Sequence, residues 1–349
     1  MANFILAFLL AFSITVLLVP FVRTLSMRLG AVDMPNARKI HSQPLPRLGG
    51  IALFLGFVVP LLLLLPLNRP FLGLLGGVAV IFIVGLIDDI KGLGPWTKLW
   101  GQILAAGVVL AGGIGIIAVT DPVTGGVIPL DPLRIPMEVA GFEFNIIPLA
   151  NAVSILWILV VMNTVNFLDG MDGLAAGVVG ITALVIGLIA AFALAPTVEG
   201  IEVGLLAAIL VGACAGFLIF NWHPSSLIMG DSGSYTIGLV LAVMAIYGGA
   251  KFGVGILVLG VALADMVWAI VRRLYHRKPL FSPDRGHIHH QLLDSGLTQV
   301  QVVLHLYAVA VGVGVAVLLG GVWSGVAALL IALALTALRV KRRRAAASI

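Results

Sequence analysis

Eleven runs of apolar residues, separated by short polar stretches, divide the sequence. Their limits fall near 2–21, 48–66, 71–87, 99–119, 146–168, 174–195, 202–220, 235–250, 252–271, 302–319 and 322–338. Coiled into helices that rise about 1.5 Å per residue, runs of this length match the roughly 30 Å of hydrocarbon in a bilayer. The pattern predicts an all-α polytopic membrane protein that forms one membrane domain and ends in a basic tail, 339–349. The first run has no basic start and no small-residue cleavage pattern after it, so it reads as a retained span rather than a removed leader.

An odd number of spans puts the two ends of the chain on opposite sides, and the basic residues say which. Seventeen of the twenty Lys and Arg fall on one side; only Arg69, Arg134 and Lys251 fall on the other. The excess of cations marks the cytoplasmic side, so the N-terminus is expected outside and the C-terminus inside. Composition agrees: 61% of the 349 residues are hydrophobic and 10% charged, with a mean hydropathy of +1.18. Soluble proteins carry roughly a quarter charged residues. The net charge of +5 is then a topology signal that faces lipid head groups, not nucleic acid. Cys214 lies within an apolar run and reads as a packing residue. The outside loops are short except for 120–145, where VIPL and LRIP are expected to pair as a small hairpin.

The unusual polar residues gather on the cytoplasmic side. Asn163 and Asn166 share one face at the end of an apolar run, and Gly170 and Gly173 allow a turn that is expected to bring Asp169 and Asp172 back toward it. Polar groups are costly in hydrocarbon, so such a cluster points to function. Amide and carboxylate oxygens suit a hard cation such as Mg²⁺; they equally suit a nucleobase or sugar. Asp88 and Asp89 are adjacent on a helix end and point about 100° apart, so they are expected to do different jobs. One would face a cation or phosphate while the other orients a basic group.

Asp231 sits between glycines at the start of a span, with Ser232 and Ser234 placed as helix caps. A helix N-terminus also favours phosphate. Arg285, His287, His289 and His290 fall in the longest cytoplasmic loop; histidines beside an arginine favour phosphate over zinc. The first cytoplasmic loop, 33–50, is extended by its prolines and offers bases to an anionic lipid or nucleotide.

Five segments in order, DMPNARKIHSQPLPRLGG, GLIDDIKG, NTVNFLDGMDGLAAG, MGDSGS and DRGHIHHQLL, resemble the polyprenyl-phosphate N-acetylhexosamine-1-phosphate transferase superfamily. The span number and the HIHH form resemble its undecaprenyl-phosphate GlcNAc-1-phosphate branch more than the phospho-MurNAc-pentapeptide transferases. The resemblance implies an enzyme of the bacterial cytoplasmic membrane, active at its cytoplasmic face. It would convert UDP-GlcNAc and undecaprenyl phosphate to undecaprenyl-diphospho-GlcNAc and UMP, with Mg²⁺, or Mn²⁺ in its place.

By the same resemblance, Asp231 and Asn166 would hold the metal. Lys98 would lie near the phosphates and Asp172 near uridine. Asp88 would act as base or lipid-phosphate contact, and His287, His289 and His290 would recognise sugar and diphosphate. Asp89 joins Asp88 and Asp231 as a catalytic candidate, and Asn163, Asp169 and Arg285 join the substrate-binding candidates. Another UDP-HexNAc donor, the downstream glycan (teichoic acid or lipopolysaccharide among them) and a homodimer all remain open. A secondary transporter is the rival class, although transporters place their polar sites near the midplane.

Overall fold

The computed structural model describes residues 1–34, 44–121, 126–139, 142–193, 197–247, 252–277 and 287–347. In chain order the elements are α1 (Ala2–Leu29), β1 (Val32–Asp33), β2 (Leu45–Pro46), α2 (Gly50–Leu64), α3 (Arg69–Lys91) and α4 (Pro95–Ala111). Four short strands follow: β3 (Ala118–Thr120), β4 (Val127–Pro129), β5 (Ile135–Val139) and β6 (Phe142–Ile146). The remainder is helical: α5 (Pro148–Leu168), α6 (Leu174–Ala193), α7 (Val198–Asn221) and α8 (Gly230–Ile246), then α9 (Phe252–Val258), α10 (Gly260–Tyr275), α11 (Ile288–Asp294) and α12 (Gln299–Ala347).

Apolar runs become helices because a helix satisfies its own backbone polar groups where water is absent. Local signals set several ends. The Asn68 side chain accepts from Phe71 N–H at the start of α3, and Thr197 accepts from Gly200 N–H at the start of α7. Pro95 and Pro148 open α4 and α5, where a missing N–H costs nothing. Among the described residues, six stretches are long and apolar enough to cross a membrane: Ala2–Leu29, Arg69–Lys91, Pro148–Leu168, Leu174–Ala191, Val198–Asn221 and Gln299–Lys341. The last is a helical hairpin, since the chain reverses at Gly321. Ser324 Oγ donates to Ala316 O, and His305 Nε2 lies 3.0 Å from Thr336 Oγ1.

Large apolar side chains such as Phe21, Ile83, Leu104 and Trp268 are exposed around the bundle. A soluble monomer rarely shows so much of this surface, whereas lipid accepts it. At the centre stands α8, buried along its whole length and packed against α2, α3, α5 and α6. The contact with α3 is close because position 85 is glycine. A Cβ there would stand 2.5 Å from Ser232 Cα and N.

Several expectations change. The run at 235–250 begins five residues early, at Gly230, so the polar GDSGS segment lies inside the helix rather than before it. Ser232 and Ser234 are therefore not its caps. Ser234 Oγ donates back to Gly230 O, and the capping comes from another helix. The run at 252–271 is two helices that part at Leu259. The run at 99–119 stops as a helix at Ala111 and its last residues enter β3. VIPL and LRIP do not pair. Val127–Pro129 pairs with 118–120, and Ile135–Val139 with 142–146, giving two hairpins.

Gly85→Ala should therefore destabilise by about 1–3 kcal/mol, the usual cost of overpacking against a rigid neighbour. Gly107→Ala, with no atom within 4 Å of the added carbon, should be neutral or slightly stabilising. Thermal unfolding of both variants in detergent checks this; equal midpoints would contradict the α3–α8 packing described above.

Candidate active site

Three carboxylates meet where α3 ends and α8 begins. Asp88, Asp89 and Asp231 are buried, and each places one oxygen within 4.8 Å of the others. Such a concentration of negative charge needs donors, and each acid finds different ones.

Asp89 spends both oxygens on α8. Oδ1 accepts from Asp231 N–H at 2.8 Å, and Oδ2 from Ser232 N–H at 3.0 Å and Ser232 Oγ at 2.5 Å. It is the N-terminal cap of α8, supplied from 142 residues away, and its charge meets the positive end of that helix. Gly230 makes the approach feasible. Its φ is +73°, and a Cβ there would lie 2.6 Å from both Asp89 oxygens and from Arg47 O. Asp88 turns the other way. Its Oδ1 accepts from Leu93 N–H at 2.6 Å, and Lys98 Nζ lies 3.2 Å from Oδ2. Lys98 bridges on to Asp231 Oδ2 at 3.0 Å. Asn166 completes this side; its Nδ2 donates to Asp231 Oδ1 at 3.1 Å and to Ser234 Oγ at 3.0 Å.

Asp169 lies beyond the end of α5, near Gly230, facing Asp231 and Asp89. Removal from water, then the charges of Asp231 and Asp89, push its carboxyl well above the usual carboxylate range. Asp88, Asp89, Lys98, Asn166, Asp169 and Asp231 thus form one constellation.

Other sequence candidates find separate partners. Asn163 makes a reciprocal amide pair with Gln102, at 2.9 and 3.3 Å, which ties α5 to α4. Asp172 turns to the α7–α8 loop, where Oδ2 meets His223 Nδ1 at 2.8 Å and Ser225 N–H at 3.2 Å. The glycine turn therefore returns Asp169, and not Asp172, toward the Asn face. His287 is held by Asp265, whose Oδ2 lies 3.0 Å from Nδ1 while Oδ1 accepts from Ile288 N–H at 2.8 Å. That carboxylate, which the sequence shows as a stray charge in a span, opens α11 and orients a histidine. His289 sits over the backbone of Gly170, so the histidine segment covers the loop after α5. Burial, then His290 and His287, lowers His289 to about 3, so it stays neutral at physiological pH. The His290 ring lies 4.4 Å from that of His289. Arg285 lies outside the described residues.

Sequence reading missed Gln102, His223 and the role of Asp265. Gln102 carried a usable signal, a lone amide in an apolar run. It also left Arg47 among general loop bases, whereas its guanidinium stands 3.2 Å from Asp89 and 3.7–3.8 Å from Asp231 and Asp88.

Between α5, α10, α11 and α12 lies a small recess of about 30 Å³, lined by Phe167, Leu168, Met266, Leu306 and Val309 together with Asp265 and His289. A buried carboxylate and lysine cluster at the helix ends of an apolar bundle is the equipment of a membrane enzyme that handles charged groups. The chain belongs to glycosyl transferase family 4, which it matches over residues 71–249, and is a multi-pass membrane protein.

Among its relatives is the decaprenyl-phosphate N-acetylglucosaminephosphotransferase of Mycobacterium tuberculosis, 38% identical over 82% of this chain and 74% of that one. A probable undecaprenyl-phosphate N-acetylglucosaminyl 1-phosphate transferase of Bacillus subtilis is 29% identical over 88% of this chain and 82% of its own. A phospho-N-acetylmuramoyl-pentapeptide-transferase of Moorella thermoacetica is 31% identical over 76% and 80%.

The raised Asp169 has a measurable consequence. Its folded carboxyl keeps a proton that the unfolded one, with a pKa of about 3.9, releases. Stability from this group is present below that value and is lost as pH rises through the folded value. The melting temperature of Asp169→Asn, relative to the unsubstituted protein, should therefore climb as pH is raised from about 4 to 8. A constant difference would mean that Asp169 titrates normally.

Proposed function

We propose that this protein transfers N-acetylglucosamine 1-phosphate from UDP-GlcNAc to a polyprenyl phosphate, releasing UMP, at the cytoplasmic face of a bacterial membrane. The observation that carries the reading is the Asp88–Lys98–Asp231–Asn166 constellation, in a chain whose relatives are named for this transfer. The eleven-span topology with an outside N-terminus belongs to the same reading, since it puts this constellation on the side where the nucleotide sugar is made available.

An oxygen of the acceptor phosphate attacks the β-phosphorus of the donor. The bond from that phosphorus to the bridging oxygen breaks, and the oxygen leaves with UMP. A phosphate monoester has a second pKa of about 6, so the nucleophile is largely dianionic at pH 7 and needs no general base. Asp88 is then a positioning group for Lys98 rather than a proton acceptor. The work left to the protein is to hold anions together, which is most of what phosphoryl transfer asks. Lys98, fixed between Asp88 and Asp231, places a cation at the junction.

The donor set also fits a divalent metal. Asp88 and Asp231 bring hard carboxylate oxygens to one point, as Mg²⁺ or Mn²⁺ requires, whereas Asn166 turns its Nδ2 toward Asp231 and would join them as a ligand only with that amide reversed. Asp89 is less suited, since its oxygens already serve α8. When bound, such an ion offsets charge on the transferred phosphoryl oxygens.

Purified protein given UDP-GlcNAc, polyprenyl phosphate and Mg²⁺ should release UMP. Asp231→Ala should lose at least about 10²–10³ of that rate, the scale of a removed electrostatic stabiliser. Label from UDP-GlcNAc should not accumulate on the protein when the acceptor is omitted; a trapped phospho-enzyme absent from Asp88→Asn would overturn direct attack. Turnover of a UDP-MurNAc-pentapeptide in preference to UDP-GlcNAc would reassign the sugar. Solute uptake into vesicles without UMP release would support transport instead.

A further inference from the structure

Two cations reach the carboxylates, and they are held in opposite ways. Lys98 is fixed at its head, by charged contacts of 3.0 and 3.2 Å. Arg47 is fixed at its base. Its N–H donates to Ala31 O and to Ser26 Oγ, both at 3.0 Å, at the end of α1. On either side the chain pairs with the lead-in to α8: Ile228 N–H donates to Pro46 O at 2.8 Å, and Gly49 N–H to Ile228 O at 3.0 Å.

The head of Arg47 is loose by comparison. Only Nε comes close to a carboxylate, 3.2 Å from Asp89 Oδ1. Nη2 lies 3.8 Å from Asp88 and 3.7 Å from Asp231, too far for the 2.7–2.9 Å of a charge-assisted hydrogen bond. Among the described residues Nη1 makes no hydrogen bond or close ion pair, although the charge of Asp33 also bears on this guanidinium. Asp89 itself is already occupied by three donors from α8, so it gains little from a fourth. About a third of the Arg47 side chain is exposed, against none of the Asp89 side chain. A guanidinium whose nearest ion pair is made at Nε leaves Nη1 and Nη2 as a parallel pair, the geometry that matches two oxygens of a phosphate.

We propose that Arg47 binds a substrate phosphate directly through Nη1 and Nη2, with Asp89 aiming the fork. The inference rests on the transferase reading for the identity of that phosphate, which is either the donor diphosphate or the acceptor monoester. The competing role is purely structural: Arg47 would only keep three carboxylates from repelling one another.

Equilibrium binding separates these roles without relying on turnover. Full-length protein, Arg47→Gln and Arg47→Lys are titrated with UDP and, separately, with farnesyl phosphate, all in Mg²⁺, and their folding is verified by thermal unfolding. Losing a charged pair of hydrogen bonds should weaken one ligand by about tenfold or more in Arg47→Gln. The other ligand should stay within about twofold. A loss confined to UDP assigns the fork to the donor; one confined to farnesyl phosphate assigns it to the acceptor. Arg47→Lys keeps the charge but not the fork, so it should recover only part of the affinity, and it decides the matter alone if the glutamine variant does not fold.

Steady-state assays should show the same split as a rise in one KM with kcat little changed. Unchanged affinity for both ligands, equal losses for both, or no binding of either by the unsubstituted protein would overturn the proposal. Binding that depends on Arg47 in a protein that releases no UMP would instead remove the transferase reading and leave the phosphate site standing.

Discussion

Most of the site depends on one carboxylate reaching from one helix to the start of another. Asp89, with no exposed side-chain surface, would be an expensive charge if it were left alone in the bundle. It is stable there because two backbone amides and a hydroxyl of α8 point at it from the positive end of the helix dipole. The bond works in both directions. It caps α8, which its own sequence leaves uncapped, and it fixes α8 in height and rotation against α3. Asp231 is the residue whose amide Asp89 holds, so the orientation of its side chain toward Lys98 and Asn166 follows from the same contact. Gly85 and Gly230 are the two places where the backbone must give way for this to happen.

Adjacent acids consequently have unlike tasks. Asp89 faces α8 and organises it, while Asp88 faces Lys98. The 100° step between neighbours on a helix is what separates them. Together with Asp231 they outnumber the cations in reach, Lys98 and Arg47. The excess negative charge is the kind that a divalent ion balances, and the positive ends of side chains left over then face an anionic substrate.

The helices were legible because apolar length is a local property, and the polar clusters because polarity is expensive at the end of such a run. What could not be read was anything settled by a distant partner. The start of α8 shifted because its cap comes from Asp89, and no window around residue 231 contains that residue. Asp172 and Asp169 look equivalent in DGMDG. They part company only because His223 and Ser225 wait on one side and Gly230 on the other. Asp265 falls inside the apolar run 252–271, yet its meaning lies 22 residues later, in His287. The break between α9 and α10 has no Pro to mark it. The strands of 118–146 were misjudged in pairing, since short apolar pieces of similar composition carry little register information.

The order in which the chain is made gives the cap a second meaning. Asp88, Asp89 and Lys98 leave the ribosome more than a hundred residues before Gly230. Through the synthesis of α5, α6 and α7 Asp89 is without the α8 donors that hold it, and Lys98 without Asp231. The arrival of α8 supplies the missing donors all at once, and it does so at the middle of the bundle rather than its edge. Assembly of the membrane domain and completion of the site are therefore one event. A chain halted before residue 230 would hold most of the helices but lack Asp231, the residue at which Lys98, Asn166 and Asp89 meet.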